Sequence, residues 1–120
     1  MSHPKSDEGE QNARADLPAA LPVHLAALVD YQNGAIVSRT LKKGQAGTFT
    51  VFAFDAGEGL SEHTAPYDAF VLVLEGTVEP TIGGRPVIAR AGETVLMPGN
   101  VPHSLRAPER FKMALVMIRS

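Results

Sequence analysis

The chain has 120 residues, 44% of them hydrophobic and 20% charged, which is ordinary for one globular domain with one core. Residues 1–18 contain four acidic and two basic side chains, so residues 19–120 carry nine of each sign. A neutral domain lacks the basic surface that nucleic acid or an anionic membrane requires, and we expect it to bind neither. The absence of cysteine excludes disulfides, thiolate metal sites and a cysteine nucleophile.

The N-terminal part of the chain divides into two segments. Residues 1–18 are polar, aperiodic and free of aromatic side chains, which predicts a disordered tail or an added extension. Residues 19–46 are predicted to be a lead-in segment and first strand with dimer contacts, in which residues 21–30 form either a short helix or an extended strand. His24 is interpreted as a structural histidine. Because no apolar run has the length of a membrane span, we expect a cytoplasmic protein.

From Tyr31 onward, glycines separate short runs rich in Val, Ile, Phe and Thr. None of these runs has the length or period of an amphipathic helix, so the pattern predicts an all-β sandwich or barrel. In GTFTVFAF the apolar residues alternate, and both faces become apolar towards its end, which predicts a strand between two layers. TIGGRPV is typical of a hairpin that turns at Gly83 and Gly84, and MPGNVPH is typical of a proline-stiffened corner.

The last run, residues 111–118, is apolar on both faces apart from Lys112. A strand of this kind needs a cover on each face, from its own barrel or from a second subunit. We therefore predict a homodimer.

Two histidines occupy corresponding places in two spaced motifs. Five residues separate Gly57 from His63, and twelve separate His63 from Gly76. In the second half of the chain, four residues separate Pro98 from His103. A histidine at the mouth of an apolar strand can be a metal ligand, a general base or a space-filling side chain, and His63 alone does not distinguish these roles.

This arrangement, with the intervening VLEGTVEPTIGGRPVIARAGETVLMPGNVPHSL, resembles the cupin superfamily over residues 47–118. The resemblance implies a double-stranded β-helix, or jelly-roll barrel, formed by residues 47–120. A barrel of this size leaves room for one small ligand in its mouth.

The resemblance also implies metal ligands, position by position. Two of the four family ligands fall on His63 and His103, whereas the second histidine falls on Ala65 and the glutamate on Ala69. Metal sites with an open position usually keep three protein ligands, so two imidazoles alone bind a first-row metal weakly. We therefore expect a divalent ion such as zinc, iron, manganese or nickel at partial occupancy.

Neighbouring acids are candidates to complete this site. Strand alternation points Glu62 away from the face that carries His63. Asp68 also points away unless a β-bulge re-aims it, and the local irregularity expected beside Pro66 keeps Asp68 as a candidate third ligand.

Three functions remain open from the sequence, and whether the protein is an enzyme is one of the open points. The first is a pocket that binds a small polar molecule, lined by His63 and His103 with Tyr67 and Asn100 at its rim. The second is a small-molecule enzyme, either metal-dependent, of dioxygenase or isomerase type, or metal-free with one histidine as general base. The third is a degenerate, non-catalytic cupin with a structural or regulatory role.

Overall fold

The computed structural model describes residues 12–14 and 17–119. The strands of this part of the chain are β1 (Asn12–Arg14), β2 (Ile36–Gly44), β3 (Gly47–Phe54), β4 (Gly59–His63), β5 (Tyr67–Glu75), β6 (Thr77–Ile82), β7 (Arg85–Pro86), β8 (Ala89–Arg90), β9 (Thr94–Met97), β10 (His103–Arg106) and β11 (Phe111–Arg119). One short 3₁₀ helix, Leu25–Leu28, precedes β2. No helix within residues 12–14 and 17–119 has the length and apolarity needed to cross a membrane.

The strands form two sheets that together make a jelly-roll barrel. The first sheet has the order β1-β2-β3-β11-β5-β9, and the second has the order β4-β10-β6-β7 with β8 also paired to β6. Successive parts of the chain alternate between the two sheets, and every pairing except β1 with β2 is antiparallel. The all-β jelly-roll prediction is confirmed.

Strand β3 shows how the sequence builds the layers. Phe52 and Phe54 face the core between the sheets, whereas Val51 and Ala53 face a second apolar cluster on the outside of the first sheet. Val51, Ala53 and Phe54 are fully buried, so this strand lies between two layers as predicted. Successive side chains of a strand point to opposite faces, which is why β3 contributes residues to both apolar clusters.

The inner core is built around a stacked pair of aromatic side chains. Phe54 on β3 stacks on Phe111 on β11, with ring centroids 4.6 Å apart, and such aromatic pairs stabilise a core beyond the area they bury. Val71 and Val78, from β5 and β6, are also fully buried in this cluster.

The segment before β2 covers part of the outer face of the first sheet. Leu25 and Leu28 of the 3₁₀ helix pack against the outer apolar cluster. Lys112, which interrupts the apolar pattern of β11, is 7% exposed, and its Nζ donates a hydrogen bond of 2.6 Å to the carbonyl of Ala26. The same ammonium lies 5.0 Å from the centre of the Tyr31 ring. Of the two alternatives for residues 21–30, a helix forms, but it is only four residues long.

One part of the tail prediction needs correction. Asn12–Arg14 form β1, which pairs in parallel with β2 from Ser38 to Thr40. Without this partner, β2 would be an edge strand with unpaired backbone groups, so even a polar segment can gain hydrogen bonds by pairing there. Of the remaining residues in the predicted tail, 1–11 and 15–16 lie outside the described residues.

The predicted hairpin at Gly83 and Gly84 is present, with φ values of 58° and 81°. Gly76, between β5 and β6, has a similar φ of 74°, but its surroundings differ. A Cβ at Gly76 would collide with the carbonyl oxygen of Arg110, whereas a Cβ at Gly84 would meet nothing within 4 Å.

We expect Gly84→Ala to lower the free energy of unfolding by about 1 kcal/mol, the cost of a left-handed alanine. Gly76→Ala should lower it by about 3 kcal/mol or more, because a backbone collision adds to the same conformational cost. Urea unfolding of both variants measures the difference. Equal losses for the two variants would show that the close approach at Gly76 is not present in solution.

Candidate functional site

A β-bulge brings the two motif histidines to the same face. In the pairing of β10 with β4, His103 lies opposite His63 and Leu105 lies opposite Leu60. Three residues of β10, 103–105, therefore lie opposite four residues of β4, 60–63, so β4 contains one extra residue. Leu60 and Leu105 both pack in the inner core. Because the bulge shifts the alternation of β4, His63 follows Leu60 onto the inner face, where His103 also lies.

The two imidazoles are in contact at the end of the barrel where β4 ends and β10 begins. Their ring centroids are 4.5 Å apart, with an angle of 71° between the ring planes. His103 is 6% exposed, whereas His63 is exposed. One ring is therefore set into the wall of the barrel, and the other is accessible from solvent.

Each imidazole is oriented by a backbone carbonyl two residues before it. His63 Nδ1 lies 2.9 Å from the oxygen of Ser61, and His103 Nδ1 lies 3.1 Å from the oxygen of Val101. A carbonyl oxygen only accepts hydrogen bonds, so Nδ1 must carry the proton in both rings. Neutral rings in this tautomer present the lone pair of Nε2. This is how metal-binding histidines are commonly held, with the second nitrogen donating to a carbonyl.

The environment of His103 favours its neutral form. Burial lowers its pKa below the ordinary value, the hydrogen bond to Val101 opposes this change, and a positive charge on His63 would lower the pKa further. A neutral ring keeps the Nε2 lone pair available at neutral pH, as both metal binding and proton abstraction require.

The structure does not place Asp68 with the histidines. Its Oδ1 accepts a hydrogen bond of 2.9 Å from the backbone N–H of Gly99, so the carboxylate braces the corner that leads to His103. Within residues 12–14 and 17–119, no three His, Asp or Glu side chains are grouped closely enough to hold a metal ion. The expectation of Asp68 as third ligand is therefore corrected. The pairing of β5 with β11 is regular from Tyr67 to Val73, so no bulge re-aims Asp68; the irregularity of β5 lies near Glu75, at its other end.

Asn100, expected at the pocket rim, has a clear conformational role. Its φ is 64°, in the left-handed region. Asparagine tolerates this region better than most residues, so it suits this turn. Its backbone N–H donates a hydrogen bond of 2.8 Å to the carbonyl of Ala65, which joins the corner before β10 to the loop between β4 and β5.

Tyr67, also expected at the rim, is the first residue of β5 and contacts Arg119. Arg119 Nη2 donates a hydrogen bond of 3.1 Å to the Tyr67 hydroxyl, and the guanidinium lies 5.1 Å from the centre of the Tyr67 ring. The sequence analysis did not single out Arg119. Its spacing from Met117 could have identified it. Residues two apart on a strand point to the same face, and Met117 packs against the inner core.

Comparison with known proteins agrees with this geometry. The profile of the cupin domain family matches residues 50–119, more than half of the chain. The chain belongs to the cupin family. No curated protein matches it.

Several solved structures are similar to this cupin. A conserved protein of unknown function from Streptococcus pyogenes has 33% sequence identity and a TM-score of 0.84, over 90% of this chain and 95% of that one. A cupin 2 conserved barrel domain protein from Leptotrichia buccalis has 39% identity and a TM-score of 0.76, over 78% of this chain but only 46% of that one. A cupin superfamily protein from Desulfitobacterium hafniense, at 24% identity, has a TM-score of 0.82 over 88% of this chain and 97% of that one.

The shared orientation of the two rings can be tested by nitrogen NMR on metal-free protein. At pH 7.5 we expect both His63 and His103 to show a protonated Nδ1 and an unprotonated Nε2, because each Nδ1 faces a carbonyl. His103 should titrate below the usual histidine pKa of about 6.5. The unfolded chain then binds this proton more tightly, so His103 removes stability as the pH falls through about 6.5. A protonated Nε2 in either neutral ring would contradict the orientation described here.

Proposed function

We propose that the open end of this cupin barrel binds a small polar molecule through a divalent first-row metal held weakly by His63 and His103. The observation that supports this most directly is the arrangement of the two rings, which are 4.5 Å apart and are both held at Nδ1 by backbone carbonyls. Two Nε2 lone pairs fixed in this way suit zinc, iron, manganese or nickel. A bound ion would supply a Lewis acid that polarises an oxygen atom of the ligand.

The donor set explains why the metal would be held weakly. The two remaining family ligand positions are Ala65 and Ala69, which supply no donor atoms. Water or the small molecule itself must then fill most of the coordination sphere, and each such ligand exchanges more readily than a protein side chain. Small oxygen-rich molecules, which can replace two waters at once, are the ligands that this arrangement favours.

A second candidate, general base catalysis without metal, is favoured by the environment of His103. Its pKa is lowered by burial, so the ring is neutral at physiological pH and its Nε2 can accept a proton. Exposed His63 lies beside it and could take part in passing that proton to solvent. This alternative needs the same two residues but no metal, and metal analysis separates it from the first.

We also propose that the protein is a homodimer formed through the outer face of its first sheet. Four apolar residues follow one another across strands β3, β11, β5 and β9, each paired with the next: Phe49, Val116, Phe70 and Leu96. Leu96 and the neighbouring Ile118 are each 48% exposed. A groove of about 390 Å³ beside this row is lined by Phe49, Val116 and Ile118 among others. Continuous apolar surfaces of this kind mark association sites, and a second copy offers the same row in return.

Metal content measured by elemental mass spectrometry tests the proposed metal site. Untagged protein purified without chelator and then incubated with zinc, iron, manganese or nickel should retain one of these ions, at less than full occupancy after dialysis. His63→Ala and His103→Ala should each lower the retained metal by about tenfold or more, because a single imidazole remains.

His24→Ala is the matched control for these variants. His24 is an exposed histidine before the 3₁₀ helix, and its side chain makes no capping hydrogen bond, so its removal should leave the metal content unchanged. If the wild-type protein retains no metal from any of the four incubations, the metal proposal is wrong. A non-catalytic cupin or a metal-free acid–base enzyme would then remain.

Light scattering coupled to size-exclusion chromatography tests the dimer. We expect wild-type protein at twice the chain mass of 12.8 kDa, and Leu96→Lys or Ile118→Lys at or near the monomer mass, because a buried unpaired ammonium is costly at an apolar interface. Ile88→Lys is the control, since Ile88 is 53% exposed but lies in the connection between β7 and β8. A wild-type monomer, or a dimer insensitive to both interface variants, would refute this interface.

A further inference from the structure

Arg119 lies at the same end of the barrel as the two histidines. It is the last residue of β11, and it pairs with Tyr67, the first residue of β5. Strand β4 ends at His63 just before β5 begins, and β10 begins at His103. The barrel mouth is therefore bounded by the histidines on the second sheet and by Tyr67 and Arg119 on the first.

The side chain of Arg119 belongs to the inner face. Leu115 and Met117, which alternate with Arg119 on β11, pack against the inner core, and residues two apart on a strand share a face. Tyr67 alternates in the same way with Ala69 and Val71, which are buried in that core. Arg119 and Tyr67 thus continue the inner surface of the barrel outward to its mouth.

The guanidinium of Arg119 is held by two hydrogen bonds, and no acid of the described residues pairs with it. Its Nε donates to the carbonyl of Gln45 over 3.1 Å, and Nη2 donates to Tyr67 Oη over 3.1 Å. An arginine has five N–H donors, so these two bonds leave three for other partners. Among the described residues no carboxylate forms an ion pair with Arg119, whereas Arg106 and Arg110 are each paired over 2.8 Å, with Glu79 and Asp55 respectively.

We propose that Arg119, positioned by Tyr67, is an anion-binding residue of this mouth, and that the small molecule bound there is a short-chain carboxylate with a second oxygen group. This inference rests on the proposed function, because the second oxygen group of the ligand is the one that would reach His63 and His103. Facing sheets are about 10 Å apart, a span that a few carbon atoms with polar ends can bridge. A pre-oriented guanidinium suits a carboxylate because its planar fork donates two parallel hydrogen bonds.

Isothermal titration calorimetry of the full chain with malonate, succinate and glutarate tests this inference, and neutral succinamide serves as the uncharged comparison. We expect at least one of the three dicarboxylates to bind and succinamide not to bind. Arg119→Gln should weaken binding by about tenfold or more, as expected for loss of a charged hydrogen-bonded pair. Arg119→Lys should recover part of the affinity, since it restores the charge without the fork. Arg106→Gln, which removes a paired arginine on β10, should stay within about twofold of wild type.

Two outcomes would overturn the inference. One is that no dicarboxylate binds to the wild-type protein, and the other is that Arg119→Gln binds as wild type does or loses no more affinity than Arg106→Gln. Either result leaves the metal proposal intact if the ion is still retained. Conversely, dicarboxylate binding that needs Arg119 but is unchanged in His63→Ala and His103→Ala would support the anion site while contradicting the proposed role of the histidines.

Discussion

The candidate site depends on one irregularity in strand pairing, the extra residue in β4 opposite β10. Leu60 and His63 are three residues apart, so a regular strand would send them to opposite faces. The bulge allows Leu60 to contribute to the core while His63 meets His103. Without it, one imidazole would point out of the barrel and the two rings could not act together. The hydrogen bonds from Nδ1 to the backbone then leave Nε2 of each neutral ring with its lone pair available.

The two faces of the first sheet have different surroundings. Its inner face contributes to the core between the sheets, which includes the stacked Phe54 and Phe111. On the outer face, the segment before β2 covers one part and is held there by the buried Lys112, whose ammonium bonds to Ala26 and lies over Tyr31. Tyr31 in turn donates a hydrogen bond of 2.8 Å to Glu75. These polar contacts satisfy a charge that would otherwise destabilise the sheet. Further along the same face Phe70 and Val116 are half-buried and Leu96 is exposed.

Much of the fold could be predicted from the sequence because it is encoded locally. Alternation in β3 predicts its two buried faces, and the glycine pair at Gly83 and Gly84 predicts its hairpin. The meeting of His63 with His103 followed from the spacing of the two cupin motifs. The bulge was not predictable, because it is fixed by pairing between β4 and β10, and no proline or glycine lies between Leu60 and His63.

Other features were missed because they depend on contacts distant in sequence. Asp68 was the acid expected to reach His63. Its carboxylate instead accepts a hydrogen bond from the backbone N–H of Gly99, 31 positions away. Arg119 was overlooked because its partners Gln45 and Tyr67 lie 74 and 52 positions away. The strand Asn12–Arg14 has a polar sequence, and only the open edge of β2 gives it a partner. Each case requires the tertiary arrangement before the role of the side chain can be assigned.

The central claim is that His63 and His103 bind one metal ion together through their Nε2 atoms. X-ray absorption spectroscopy of the zinc-loaded protein tests it most directly, because it counts the imidazole ligands around the ion. We expect two imidazole nitrogens at about 2.0 Å, completed by oxygen ligands, and one imidazole in the His103→Ala variant. A first shell with no imidazole, or the same spectrum in wild type and variant, would contradict the claim.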